Sequence, residues 1–163
     1  MTNEFEYRIV FLVLTVMLIA MRIFFMLRVR QFDTFTRNFL AHHSGGLVVD
    51  IGYGLDTRFH RLHDGQITWL GVDLPEVIAL RRQWLTDSER CMTIAQSMLE
   101  ISWLEKVIRI DKPVIFLAEG VFPYFSTAEM KPLVTSMAAH FPAGELVFDA
   151  ISPFLLKFAK QHQ

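Results

Sequence analysis

The sequence predicts an α/β fold with an open parallel sheet, and three observations carry that prediction. The apolar run Val48-Val49-Asp50-Ile51 has strand length and breaks into Gly52-Tyr53-Gly54, as a buried parallel strand does on entering a loop. A second run, Ile67-Thr68-Trp69-Leu70-Gly71-Val72, ends in Asp73, about 20 residues beyond the first. Further short apolar runs at 92–95, 114–118 and 145–151 alternate with stretches whose apolar residues recur at helical spacing, which makes five strands joined by helical crossovers.

A chain of 163 residues holds one domain with a real core and is too short for two ordinary ones. Its 16 Lys and Arg nearly balance 17 Asp and Glu, so no strong field favours nucleic acid and no such partner is expected. Cys91 is the single cysteine, which excludes an internal disulfide framework and is compatible with the reducing cytosol. The apolar share of 52% is high for a soluble domain, and much of the excess lies near the N-terminus.

Residues 9–27 are almost unbroken apolar sequence, with Arg22 the charge inside it. At about 19 residues the run reaches the length of a membrane-spanning helix. Glu4 and Glu6 precede it and Arg28, Arg30 and Arg37 follow, so a spanning helix leaves the following domain in the cytosol. The acidic start and the lack of a small-x-small site argue against a cleaved signal peptide. The alternative is a helix apolar on all sides because the domain or a second subunit covers it. On either reading residues 1–30 form an N-terminal helix ahead of a domain at 31–163. Phe32, Phe35, Phe39 and Leu40 recur at helical spacing and are expected in the core, and His42-His43-Ser44-Gly45-Gly46 closes that helix.

Gly52 and Gly54 free the loop from Cβ atoms, so its backbone can turn left-handed and approach a ligand closely. Asp73 stands where nucleoside-binding folds place a carboxylate for ribose hydroxyls. The dinucleotide fingerprint wants a third glycine where Thr57 stands, which weakens an NAD reading. His60 and His63 share a helical face, yet no third ligand is near, and no metal site is expected.

Pro75 opens a helix with Glu76 in its first turn; Val77, Ile78, Leu80, Trp84 and Leu85 form its inward stripe, with Arg81 and Arg82 in solvent. The third strand, Met92–Ala95, ends at Gln96-Ser97-Met98, and Leu99, Trp103, Leu104 and Val107 continue as an amphipathic helix. The fourth, Val114–Ala118, ends at Glu119-Gly120, on the sheet edge where ligands sit. Ser126-Thr127-Ala128-Glu129 has the pattern of a capping box for a helix carrying Met130, Leu133, Val134 and Met137 inward. A fifth strand is expected over Glu145–Ile151, and Ser152-Pro153 begins a last helix.

Three ordered motifs add a resemblance: Val49-Asp50-Ile51-Gly52-Tyr53-Gly54-Leu55-Asp56-Thr57-Arg58, then Val72-Asp73-Leu74-Pro75-Glu76, then Ala118-Glu119-Gly120-Val121-Phe122-Pro123-Tyr124. Together they resemble the leucine carboxyl methyltransferase family, in the bacterial branch similar to the tetracenomycin polyketide O-methyltransferase. The resemblance implies a Rossmann-like class I methyltransferase sheet, S-adenosyl-L-methionine as cofactor, and methyl transfer to a carboxylate or hydroxyl of a small, polyketide-like acceptor.

By the same resemblance Arg28, in a segment with Val29 where the family has Thr, reaches the cofactor carboxylate. Gly52, Tyr53 and Gly54 lie along its methionine part, Asp73 with Leu74 at the ribose, and Ser97 with Met98 at the adenine. Glu119 lines the methionine moiety, and Tyr124 with Glu119 faces the reacting end as the candidate catalytic pair. Plainer roles stand beside these: a solvated arginine, a capping acid, a core tyrosine.

The family sheet has seven strands, and the last antiparallel pair is missing from the pattern, so the domain reads as truncated at its C-terminus with little acceptor specificity attached. The fifth strand then forms an open apolar edge, and self-association is expected through it or through the apolar N-terminal helix. The expected location is cytoplasmic, with membrane association through residues 9–27 as the alternative. The rival function is a non-catalytic, membrane-anchored or oligomeric relic of the methyltransferase fold.

Overall fold

A computed structural model of the chain describes residues 2–150, without the side chains of residues 2–6 and 9. The end of the expected fifth strand at Ile151 and the last helix after Ser152 lie outside the described residues. The chain divides into two compact units, Met1–Thr34 and Phe35–Gln163.

The first unit is helical. Helix α1, Thr2–His42, begins in it and closes in the second unit. No Gly or Pro interrupts residues 10–42, so nothing in that stretch breaks the helix. From Val10 to Leu27 its large apolar side chains are exposed all along the run. The Thr15 hydroxyl donates to the Phe11 carbonyl at 2.8 Å and so satisfies itself within the helix.

The second unit is built on a parallel sheet of β1 (Leu47–Ile51), β2 (Thr68–Asp73), β3 (Cys91–Ala95), β4 (Val114–Ala118) and β5 (Glu145–Phe148), in the order β3-β2-β1-β4-β5. This is the α/β sheet the apolar runs predict. Helices α2 (Arg58–Leu62), α3 (Pro75–Arg81), α4 (Leu104–Ile108, after a 3-10 turn at Ile101–Trp103) and α5 (Thr127–His140) make the crossovers. Ile51 pairs with Val72, Asp73 with Ala95, and Asp50 with Leu117, so the carboxyl ends of the four inner and edge strands align. The order reverses direction between β1 and β4, and at such a switch point the strand ends leave a crevice.

Alternation along β1 separates the two faces of the sheet. Leu47, Val49 and Ile51 join Trp103, Leu104, Val107, Met130, Leu133 and Met137 in one apolar core against α4 and α5. Val48 and Asp50 face the other layer, where Phe59, Trp69, Ile78 and two arginines, Arg58 and Arg81, are buried. The capping box at Ser126 forms as expected: its hydroxyl accepts from Glu129 N–H, and Glu129 Oε2 accepts from Ser126 N–H at 2.8 Å.

Several expectations need correction. α3 stops at Arg81, and the next turn tightens through Gln83 N–H to Leu80 O and Trp84 N–H to Arg81 O. The stripe therefore rotates: Ile78 is buried, Trp84 is 75% exposed, and Arg81 faces inward where solvent was expected. Phe35, expected in the core, is exposed, and β5 ends at Phe148.

Candidate functional site

At the carboxyl ends of β1 and β2 the chain makes a hollow of about 120 Å³ lined by Gly52, Asp73, Leu74, Ser97 and Met98. Val121 and Phe125, from the segment after β4, close it. Four of the segments singled out by the sequence thus meet in one place. The hollow is small beside the roughly 300–1,000 Å³ of ligand sites, and the reason lies at Gly52. Its φ is +72°, and a Cβ there would stand 2.3 Å from Val121 Cγ2. Only glycine fits, and the Val121 side chain occupies the approach that glycine leaves open.

Asp73 is fixed by backbone donors. Gly54 N–H donates to Oδ2 and Leu74 N–H to Oδ1, each at 2.7 Å. Each carboxylate oxygen has two acceptor sites, so both can still accept from a pair of vicinal hydroxyls. Gly52 and Tyr53 direct their N–H groups to the Val72 carbonyl at 2.8 and 3.2 Å. With the N–H groups of Gly52, Tyr53 and Gly54 all bonded within the protein, this loop ties β1 to β2 and holds the acid, and it is not a phosphate cradle. At the adenine end expected for the hollow, Met98 is buried and its carbonyl accepts from Trp103 Nε1 at 3.0 Å, while Ser97 Oγ accepts from Leu99 N–H at 3.4 Å.

Tyr53 and Tyr124, also expected at the site, do not line the hollow. The Tyr53 side chain turns away from the hollow: its ring lies flat on Gly71 of β2, the Arg81 guanidinium stacks on it at 3.5 Å, and its hydroxyl meets Cys91 Sγ at 3.4 Å. Burial and the sulfur contact push the phenol up and burial pushes the Cys91 thiol up, so both stay protonated at neutral pH. Tyr124, in a 3-10 turn at Phe122–Tyr124, is 84% exposed and outside the hollow. Arg28 belongs to the first unit, where its guanidinium lies over the Phe25 ring at 5.1 Å.

Glu119 is part of a cluster that sequence reasoning did not assemble. Arg58, 1% exposed at the start of α2, gives Nη2 to Glu119 Oε2 and Nη1 to Asp56 Oδ2, both at 2.5 Å, with Asp50 Oδ2 at 3.8 Å from Nη1. Asp56 also accepts from Arg58 N–H at 2.6 Å. Arg81 Nη1 closes the other side of the loop, donating to the carbonyls of Gly54 (3.0 Å) and Asp56 (2.7 Å). Burial, then the Asp56 charge, raises the Asp50 carboxyl well above the usual range, against the lowering effect of Arg58. One signal for the cluster was available: Asp50 interrupts an apolar strand, a buried acid requires a partner, and Arg58 is the first basic residue after it.

The model of the leucine carboxyl methyltransferase family matches residues 15–138. The chain belongs to that family. It is 34% identical over 137 residues to the tetracenomycin polyketide synthesis O-methyltransferase TcmP of Streptomyces glaucescens, covering 83% of this chain and 50% of that protein. It is 30% identical over 148 residues to the S-adenosyl-L-methionine-dependent methyltransferase dpfgK of Gibberella zeae, covering 80% and 49%. The chain therefore spans about half the length of the curated relatives it matches. Among solved structures the N-methyltransferase NodS of Bradyrhizobium japonicum superposes with a TM-score of 0.57 at 17% identity, over 80% of this chain and 72% of that one. That likeness shows the fold, the Rossmann-like sheet of class I methyltransferases. The family and both curated relatives carry the name of a methyltransferase.

Proposed function

We propose that this chain is the cofactor-binding part of an S-adenosylmethionine-dependent O-methyltransferase whose acceptor is a small molecule carrying a carboxylate or a hydroxyl. The observation that carries the reading is Asp73, held by two backbone N–H groups at the tip of β2 and lining one hollow with Gly52, Ser97 and Met98. These residues suit an adenosyl group: an acid for the two ribose hydroxyls, a glycine that lets the ligand lie against the backbone, and a buried thioether with a hydroxyl beside the base. Opening the hollow requires Val121 to leave Gly52. In the assigned roles Glu119 with Tyr124 serves the reacting end.

When bound, the cofactor would supply an activated methyl group for an acceptor oxygen, with the neutral thioether as the leaving group. The protein's part is to align acceptor, methyl and sulfur and to exclude water. A carboxylate acceptor is already ionised near pH 7 and needs no general base, which suits the reading of Glu119 as a binding group. A polyketide-like acceptor has its support in the similarity to TcmP.

Cytoplasmic location with a bilayer contact through α1 is part of the proposal. Its support is an apolar run exposed along its length, with charges biased to its C-terminal side. Association of two copies through β5 is supported by the edge it forms among the described residues.

Titration calorimetry tests the cofactor assignment. S-adenosylmethionine and S-adenosylhomocysteine bind the wild type, and Asp73→Ala loses at least about tenfold in affinity. Equal binding by the variant, or no binding by the wild type, defeats the reading.

A further inference from the structure

We propose that Arg58 is a positioning residue for the cofactor: from beneath the glycine loop its guanidinium sets the orientation of the Glu119 carboxylate at the end of β4. The inference rests on the cofactor reading above and concerns a residue that reading leaves without a role.

The geometry is specific. Arg58 starts α2, immediately after the loop, and its side chain is almost wholly buried, so the fork has no solvent to choose instead. One nitrogen serves Asp56 within the loop and the other serves Glu119 from a different strand. A planar fork with two fixed donors can hold two carboxylates at a set distance and angle, which a lysine ammonium cannot. Glu119 is thereby tied to the glycine loop across the switch point between β1 and β4.

Charge argues the same way. A free arginine beside the hollow would repel the positively charged sulfonium end of the cofactor. Here the guanidinium is shared among Asp50, Asp56 and Glu119, and Arg58 does not line the hollow. Asp50 Oδ2 has no hydrogen-bond partner and lies 3.8 Å from Nη1, so the two closer carboxylates take the fork's hydrogen bonds. The result is a buried arginine that fixes an acid in place.

The test is a double-mutant cycle read by calorimetry with S-adenosylmethionine, with the melting temperature of each protein recorded beside it. Arg58→Lys keeps the charge and loses the fork; Glu119→Gln keeps the shape and loses the charge. Each single variant is expected to weaken binding about tenfold, and Arg58→Lys in the Glu119→Gln background is expected to cost nothing further in affinity while still lowering the melting temperature. That split separates positioning from general support of the fold. An equal loss from Arg58→Lys in both backgrounds, or wild-type affinity in a folded Arg58→Lys protein, overturns the proposal. A wild type that binds no cofactor overturns the underlying site reading instead, and is recognised before any variant is made.

Discussion

The two sides of the sheet are finished differently. Around β1 and β2 every strand residue except Asp73 is buried, and the packing leaves no slack: the Tyr53 ring lies on Gly71, Arg81 lies on Tyr53, and Arg58 fills the space below the loop. Around β5 the four strand residues are half-buried or exposed, and beside them a groove of about 480 Å³ is lined by Phe122, Phe125, Met130, Leu146 and Phe148. Phe122 and Phe148 rings meet there at 5.1 Å. The comparison teaches where the sheet is committed to one arrangement. At β1 and β2 the side chains are buried against close-fitting neighbours, whereas the β5 side is partly exposed apolar surface that is expected to accept substitution.

The strongest way to break that contrast is Gly71→Ala. A Cβ there would stand 1.8 Å from Tyr53 Cδ1, and the Arg81 guanidinium already lies over that ring. A loss of about 3 kcal/mol is expected from the overpacking, measured by urea denaturation; wild-type stability would show the ring free to move. Arg81→Met is next. It leaves the Gly54 and Asp56 carbonyls without their donor, at a cost of about 2 kcal/mol.

Asp50→Asn sharpens the comparison through pH. The Asp50 carboxyl is raised in the folded chain, chiefly by burial, so the fold retains a proton that the unfolded chain releases from about pH 4 upward. The stability tied to this group is complete below that pH and is lost as pH rises through the folded value. The wild type is expected to lose up to about 1.4 kcal/mol per pH unit in that window, and Asp50→Asn is expected to remove the slope. Parallel stability profiles for the two proteins between pH 5 and 8 would contradict it. The smallest effect is at the edge: Phe148, 49% exposed, is expected to tolerate Ser within about 0.5 kcal/mol.

Strand positions, the glycine turn and the acid after the second strand were legible in the sequence because each is encoded by neighbours along the chain. A run of apolar residues must be buried on both faces of a parallel sheet, and Gly52 must turn where a Cβ would collide. Asp73 is the last residue of its strand, so its place at the sheet edge comes with the strand. The Ser126 cap forms from the four residues that predict it.

Side-chain direction in the loop and at helix ends was not legible. Helical spacing put Arg81 in solvent and Trp84 in the core, and the structure reverses both, because α3 ends early and a stacked, doubly bonded guanidinium outweighs the ordinary preference of arginine for water. Tyr53 sits between two glycines that both belong to the loop, yet its ring follows the gap over Gly71, which lies on another strand. The meeting of Asp50, Asp56, Arg58 and Glu119 depends on β4 pairing beside β1, a contact between distant parts of the chain. The sequence by itself determined the sheet and the acid at its crest, since local pattern encodes them. Only the tertiary structure decided which charges are buried together, because that depends on which strands become neighbours.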